Sequence, residues 1–147
     1  MLRRYGVDFE SHLYRYETGG GTTLFAKTQG VDEHRVIKTL IMEDELHRPL
    51  IVLMHGDREV STRTLAREIG VKSVRPCDPA TADRHSGYQV GGTSPFGTRH
   101  AMPVYCEAGI LELPRIYING GKRGYLVSLT PTELVRVLDP KIVTVTQ

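Results

Sequence analysis

Lys38 is the side chain whose type and setting most invite chemistry. It lies inside Arg35-Val36-Ile37-Lys38-Thr39-Leu40-Ile41-Met42, a run dense in branched apolar residues that predicts a β-strand. Strand alternation puts Val36, Lys38, Leu40 and Met42 on one face and Ile37, Thr39 and Ile41 on the other. An ammonium among apolar neighbours is costly unless it reaches water or meets an anion. Two readings follow. Either the lysine stem lies along apolar surface while the amine reaches solvent, or Lys38 points into a lined pocket as a binding charge. Residues Gly87 to Gly97 form a second candidate, because glycines let backbone N–H groups approach a ligand closely. An ordinary wide loop has the same composition. The third candidate, Asn119 to Gly124, reads first as a hairpin turn. Lys122 and Arg123 at its tip could also meet a phosphate.

Other chemistries find no residues to carry them. The six histidines show no HExxH or other metal spacing, so no metal site is expected. No GxSxG elbow and no Walker loop is present. Gly19-Gly20-Gly21 matches no phosphate motif and reads as a plain loop. Cys77 and Cys106 form no CxxC pair, which suits a reducing compartment, and nothing marks an activating histidine for either. The formal net charge of +2 is too small to establish nucleic-acid binding. No signal peptide is expected behind Met1-Leu2-Arg3-Arg4-Tyr5, and no run approaches membrane-spanning length. A cytoplasmic protein with no membrane partner is therefore expected.

The elements that must position these residues are short. Strands are expected at 11–16, 35–42, 50–55, 102–106, 115–119, 125–129 and 142–145, with 35–42 and 50–55 paired antiparallel. Helices are expected at 22–29 before Gly30 and at 62–69 between Ser61 and Gly70. A third should open at Asp78-Pro79 and close before Gly87, and a fourth runs from Pro131 to Leu138 behind a Thr130–Glu133 capping box. Segment 71–75 leads out of the second helix without a strand of its own, and 119–124 is a turn. Strands and helices do not alternate strictly, so the fold class is α+β, with a mixed, curved sheet. At 147 residues, one domain over 1–147 is expected.

Taken in order, three segments resemble one family, the YbaK/EbsC aminoacyl-tRNA deacylases, relatives of the editing domain of bacterial prolyl-tRNA synthetases. They are Val36-Ile37-Lys38-Thr39-Leu40, Gly87 through Gly97, and Ile116 through Gly124. Leu65 to Gly70 and Cys77-Asp78-Pro79 are lesser matches. The resemblance implies a barrel-like sheet flanked by short helices and hydrolysis of mischarged tRNA, such as Cys-tRNA(Pro) or Ala-tRNA(Pro), without cofactor or metal. It maps the family's key lysine onto Lys38 and its pocket glycine onto Gly91. It places Tyr14, Thr39, Gly92, Ser94, Asn119, Gly120 and Gly121 in segments that line the pocket. The chain departs from cysteine-specific members at three positions: Gly21 stands for an aromatic residue, Asn119 for serine and Leu126 for aspartate.

The implied chemistry needs no triad. The scissile bond is an activated ester, so positioning and electrostatics can suffice. Lys38 would hold a phosphate or the carbonyl oxygen, with backbone N–H groups near Gly91 and Gly92 at the oxyanion. A substrate thiol, a ribose hydroxyl or water would attack. The implied partners are the acceptor 3′ end of a mischarged tRNA and a synthetase such as prolyl-tRNA synthetase. The rival reading is a non-catalytic module that binds the tRNA acceptor end or a synthetase.

Overall fold

The computed structural model describes residues 2–147. In chain order its elements are β1 (Glu10–Leu13), α1 (Gly21–Gln29), β2 (Val36–Asp44), β3 (Pro49–His55), α2 (Thr62–Ile69), β4 (Val74–Pro76), α3 (Pro79–Ser86), β5 (Val104–Glu107), β6 (Ile116–Lys122), β7 (Tyr125–Leu129), α4 (Pro131–Leu138) and β8 (Lys141–Val143). Single 3-10 turns occupy Arg3–Tyr5, Glu33–Arg35 and Ala108–Glu112.

One mixed sheet runs β1-β7-β6-β2-β3-β5-β8, with β4 added beside β2. The β2/β6, β3/β5 and β5/β8 pairs are parallel, and the remaining pairs are antiparallel. The sheet is open, with β1 and β8 at its ends, so it stops short of the closure that a barrel implies. β3 is buried on both faces, which explains its unbroken apolar run Leu50 to Met54. Ile51 and Leu53 pack with Ile37, Ile41, Ala82 and Leu134 on one side. Val52 and Met54 pack with Met42, Leu65 and Val74 on the other. Helices α3 and α4 thus close one face and α2 the other.

Local signals placed the helix ends well. Ser61, Asp78 and Thr130 each accept a hydrogen bond from the backbone N–H three residues on, and Gly30, Gly70 and Gly87 end their helices in the left-handed region. The box at Thr130 is only half closed, because the Glu133 carboxylate pairs with Arg136 instead of returning to the cap. Strand bounds differ where a competitor intervenes. β8 ends at Val143, because Val145 and Thr146 donate their N–H groups to the buried Glu107 carboxylate rather than to a strand. β1 covers 10–13 rather than 11–16, and β4 is a strand the sequence did not reveal. β6 runs through Asn119, Gly120 and Gly121 to Lys122 with an irregular register, so the expected turn shrinks to Arg123 and Gly124.

His55 closes β3 as a buried side chain. Its Nδ1 lies 2.8 Å from the His34 carbonyl, so that nitrogen carries the proton, and its ring stacks on His34 at 3.7 Å. Burial holds the His55 imidazole below the ordinary histidine range. The unfolded chain therefore takes up a proton near pH 6.5 that the folded chain refuses until lower pH. Stability should fall as pH drops below about 6.5. His55→Gln should flatten that fall in a melting-temperature series, and an unchanged slope would show that His55 is not its source.

Candidate active site

The cavity exists because β2 has different neighbours along one edge. Asp44 N–H donates to the Arg48 carbonyl and Gly56 N–H to the Val36 carbonyl. Even-numbered residues of β2 therefore direct their main-chain groups toward β3, and odd-numbered residues toward the opposite edge. On that opposite edge β6 pairs only as far as Ile37, the Ile41 carbonyl accepts from Cys77 N–H, and β4 takes over from Met42. Between them the edge at Thr39 has no strand beside it, and its N–H and C=O face a cavity of about 700 Å³. That is the ordinary size of a small-molecule site. The Thr39 hydroxyl is buried and has no hydrogen-bond partner among the described residues.

Lys38 lines this cavity on the face of Val36 and Leu40. Its side chain is only 19% exposed, and its Nζ lies 3.0 Å from Oε1 of Glu59, which is 77% exposed. Both readings of the lysine are thus combined. The stem is covered, and the amine meets an anion at the cavity wall that is free to swing into solvent. The first turn of α1 and the turn at Glu33 also line the cavity. Thr22 and Thr23 donate their hydroxyls to Glu33 Oε2 at 2.7 and 2.8 Å. Gly56 lets this corner close, since a Cβ there would lie 2.7 Å from Thr22 Oγ1 and from the Val36 carbonyl oxygen.

Of the residues expected at the site, Lys38, Thr39, Tyr14, Gly91 and Asn119 line the cavity. Tyr14 packs edge-on against Phe25 at 5.3 Å, and burial pushes its hydroxyl pKa up. Gly91 has φ +95° and lies under the Tyr16 ring. Gly92, Ser94, Gly120 and Gly121 do not line the cavity. Their geometry serves the frame instead. Gly92 lies against the Lys122–Arg123 backbone and spends its N–H on the Gln89 carbonyl, which removes it as an oxyanion donor. Buried Ser94 accepts from Phe96 N–H. Gly120 and Gly121 make room for the rings of Tyr125 and Tyr88. A Cβ on Gly92 would sit 2.6 Å from the Lys122 carbonyl carbon, a backbone atom that cannot turn aside. Gly92→Ala should therefore destabilise the fold by about 1–3 kcal/mol. A denaturation midpoint equal to wild type would show that the loop and hairpin part easily.

Gly21, singled out as a departure from the family, lies on the wall, and sequence reasoning missed Gly19, Gly20, Thr22, Thr23, Glu33 and Gly56 there. The glycine triplet, read from the sequence as a plain loop, therefore lines the cavity. Arg123 at the hairpin tip is committed to the protein as well: its Nε donates to the Val90 carbonyl and its guanidinium lies 4.9 Å above the Tyr16 ring. Cys77 also lines the cavity. Burial raises its thiol to about 11 and that of Cys106 to about 12, so both are protonated at neutral pH and poor nucleophiles. Among the described residues no group of three or more His, Cys, Asp or Glu side chains is placed to hold a metal ion, and no helix is long and apolar enough to cross a membrane.

Known proteins resemble this chain in sequence and in fold. EbsC of Enterococcus faecalis, provisionally assigned as a Cys-tRNA(Pro)/Cys-tRNA(Cys) deacylase, is 26% identical over 147 residues, covering 99% of this chain and 90% of that one. The proline–tRNA ligase of Ligilactobacillus salivarius is 28% identical over 102 residues, which are 68% of this chain and 17% of the ligase. The crystal structure of a provisionally assigned trans-editing enzyme for prolyl-tRNA synthetase superposes with a TM-score of 0.86 at 20% identity, covering 99% of this chain and 92% of that one. The family model for the aminoacyl-tRNA editing domain matches residues 21–137, the stretch that holds Lys38, Gly91 and all but the Tyr14 and Gly19–Gly20 part of the cavity wall. The chain belongs to the aminoacyl-tRNA editing domain family.

Proposed function

We propose that this protein is a hydrolase that removes the amino acid from mischarged tRNA in trans, acting on Cys-tRNA(Pro)-like or Ala-tRNA(Pro)-like substrates. The observation that carries the reading is the interrupted edge of β2, where the Thr39 main chain opens into a cavity walled by Lys38 and Gly91. The terminal ribose and its amino acid fit a space of this size. Lys38 supplies a point charge for the terminal phosphate or the ester carbonyl. The Thr39 N–H, and that of Gly91, which has no partner among the described hydrogen bonds, would face the oxygen on which negative charge develops. Water adds to the ester carbon, the bond to the ribose oxygen breaks, and that oxygen leaves as a hydroxyl while the amino acid departs as a carboxylate. A substrate thiol can take the place of water where the amino acid is cysteine.

With a net charge of +2, the chain neutralises few phosphates on its own. A synthetase such as prolyl-tRNA synthetase would therefore supply tRNA identity. A site of this kind acts as a second sieve, because binding alone separates similar amino acids poorly. The test is a panel of correctly and wrongly charged tRNAs, assayed with and without prolyl-tRNA synthetase and with and without chelator. Wrongly charged tRNA(Pro) should lose its amino acid, Pro-tRNA(Pro) should be spared, and chelator should change nothing. Saturable tRNA binding with no deacylation anywhere in the panel would instead establish a binding module.

A further inference from the structure

Glu33 is a fixed carboxylate of which only half is used. Its Oε2 takes two hydrogen bonds, from Thr22 and Thr23, which hold the group against the first turn of α1. Its Oε1 has no hydrogen-bond partner among the described residues, and no Lys, Arg or His there pairs with it. Oε1 is not a fully buried atom, so it can accept a further hydrogen bond. The residue lines the cavity, while the cation of that cavity, Lys38, is engaged by Glu59 rather than by Glu33. The wall therefore offers a held anion with one free oxygen and a cation with a mobile counter-ion.

An ammonium has three N–H donors and no acceptor. It suits a carboxylate oxygen that still has room for a donor. We propose that Glu33 receives the α-ammonium of the aminoacyl group, so that the site admits only esters with a free α-amine. Esters of N-acylated amino acids, and of hydroxy acids, would be rejected. This rests on the deacylase reading of the same cavity. The Glu33 charge also complements the N-terminus of α1, where Gly20 supplies no side-chain cap. The two roles use different oxygens and separate experimentally.

The probes are 3′-deoxy-3′-(L-alanylamino)adenosine, which cannot be hydrolysed at the ester position, and its L-lactoyl counterpart, which replaces the ammonium by a hydroxyl at nearly equal size. Calorimetric titration of the wild-type protein should show the alanyl compound binding about 10- to 100-fold tighter, the range for a charge-assisted hydrogen bond. Glu33→Gln keeps an acceptor for the threonine hydroxyls and loses the charge, so it should bind both compounds equally. A lowered melting temperature of that variant would report the helix role alone. Equal binding of both probes by wild type, failure of the alanyl probe to bind, or a preference that survives in Glu33→Gln would each overturn the proposal. Hydrolysis of Ala-tRNA and N-acetyl-Ala-tRNA separates it from the parent reading. If the ammonium preference appears in binding but no tRNA is deacylated, the hydrolase reading fails and the Glu33 assignment stands. If both tRNAs are deacylated at the same rate, the assignment fails and the hydrolase stands.

Discussion

Lys38→Ala should lower kcat/KM for deacylation about 30- to 1,000-fold, equivalent to about 2–4 kcal/mol of transition-state stabilisation, with the fold intact. The side chain is mostly covered, its stem runs between Val36 and Leu40, and its amine stands at the wall of the cavity. A charge held there in a partly dry space acts on a developing anion far more strongly than one in bulk water. The effect on folding should be small by comparison. The partner Glu59 is largely exposed, and ion pairs of that kind contribute about 0–1 kcal/mol. Glu59→Gln is the informative companion, since it frees the ammonium and leaves it in place. Its activity should exceed that of Lys38→Ala by tenfold or more. Lys38→Arg should rescue poorly, because the wider planar guanidinium does not reproduce a compact point charge. Near-normal turnover by Lys38→Ala, measured on a sample whose melting curve matches wild type, would remove the lysine from the mechanism.

What the sequence disclosed about Lys38 was its face, because strand alternation is local and the apolar neighbours make an ammonium conspicuous. The anion it meets was hidden. Glu59 comes from the loop after β3 and reaches Lys38 only through the β2–β3 pairing. The break in the β2 edge was hidden for the same reason. It depends on where β6 leaves the strand and β4 joins it, and those registers are set by distant segments. Helix caps were legible because Ser61, Asp78 and Thr130 each act on an N–H three residues away.

Glycines were the least legible of all. Gly91 and Gly92 look alike in sequence, and both permit a close approach. One approaches the cavity and the Tyr16 ring, the other the hairpin backbone. Gly120 and Gly121 make room for tyrosine rings, and Gly56 for Thr22, so residue type shows that something comes near without showing what. Glu33 carried no signal because its two threonine partners lie on another element.

Gly91→Ala should impair both stability and catalysis, and the two losses can be separated. At φ +95° an alanine is strained wherever it sits, by about 1–3 kcal/mol. Its Cβ would also lie 2.6–2.9 Å from the Tyr16 hydroxyl and ring carbons. That ring cannot swing away freely, because the Arg123 guanidinium covers it and is itself tied to the Val90 carbonyl. The loop must then give, carrying Val90 and Gly91 off the cavity wall that both line. Deacylation per folded molecule should fall at least about tenfold, or about 1.4 kcal/mol, and bulky aminoacyl groups should suffer most. Tyr16→Ala combined with Gly91→Ala removes the clash and leaves the backbone strain, so the double variant should regain part of the lost melting temperature. A double-mutant cycle across the two positions measures that share, since residues in direct contact are not additive. Pure backbone strain predicts a cycle with no coupling. A Gly91→Ala protein that melts early yet turns over normally per folded molecule would show that the loop is scaffold, and that the ester is attacked elsewhere along the β2 edge.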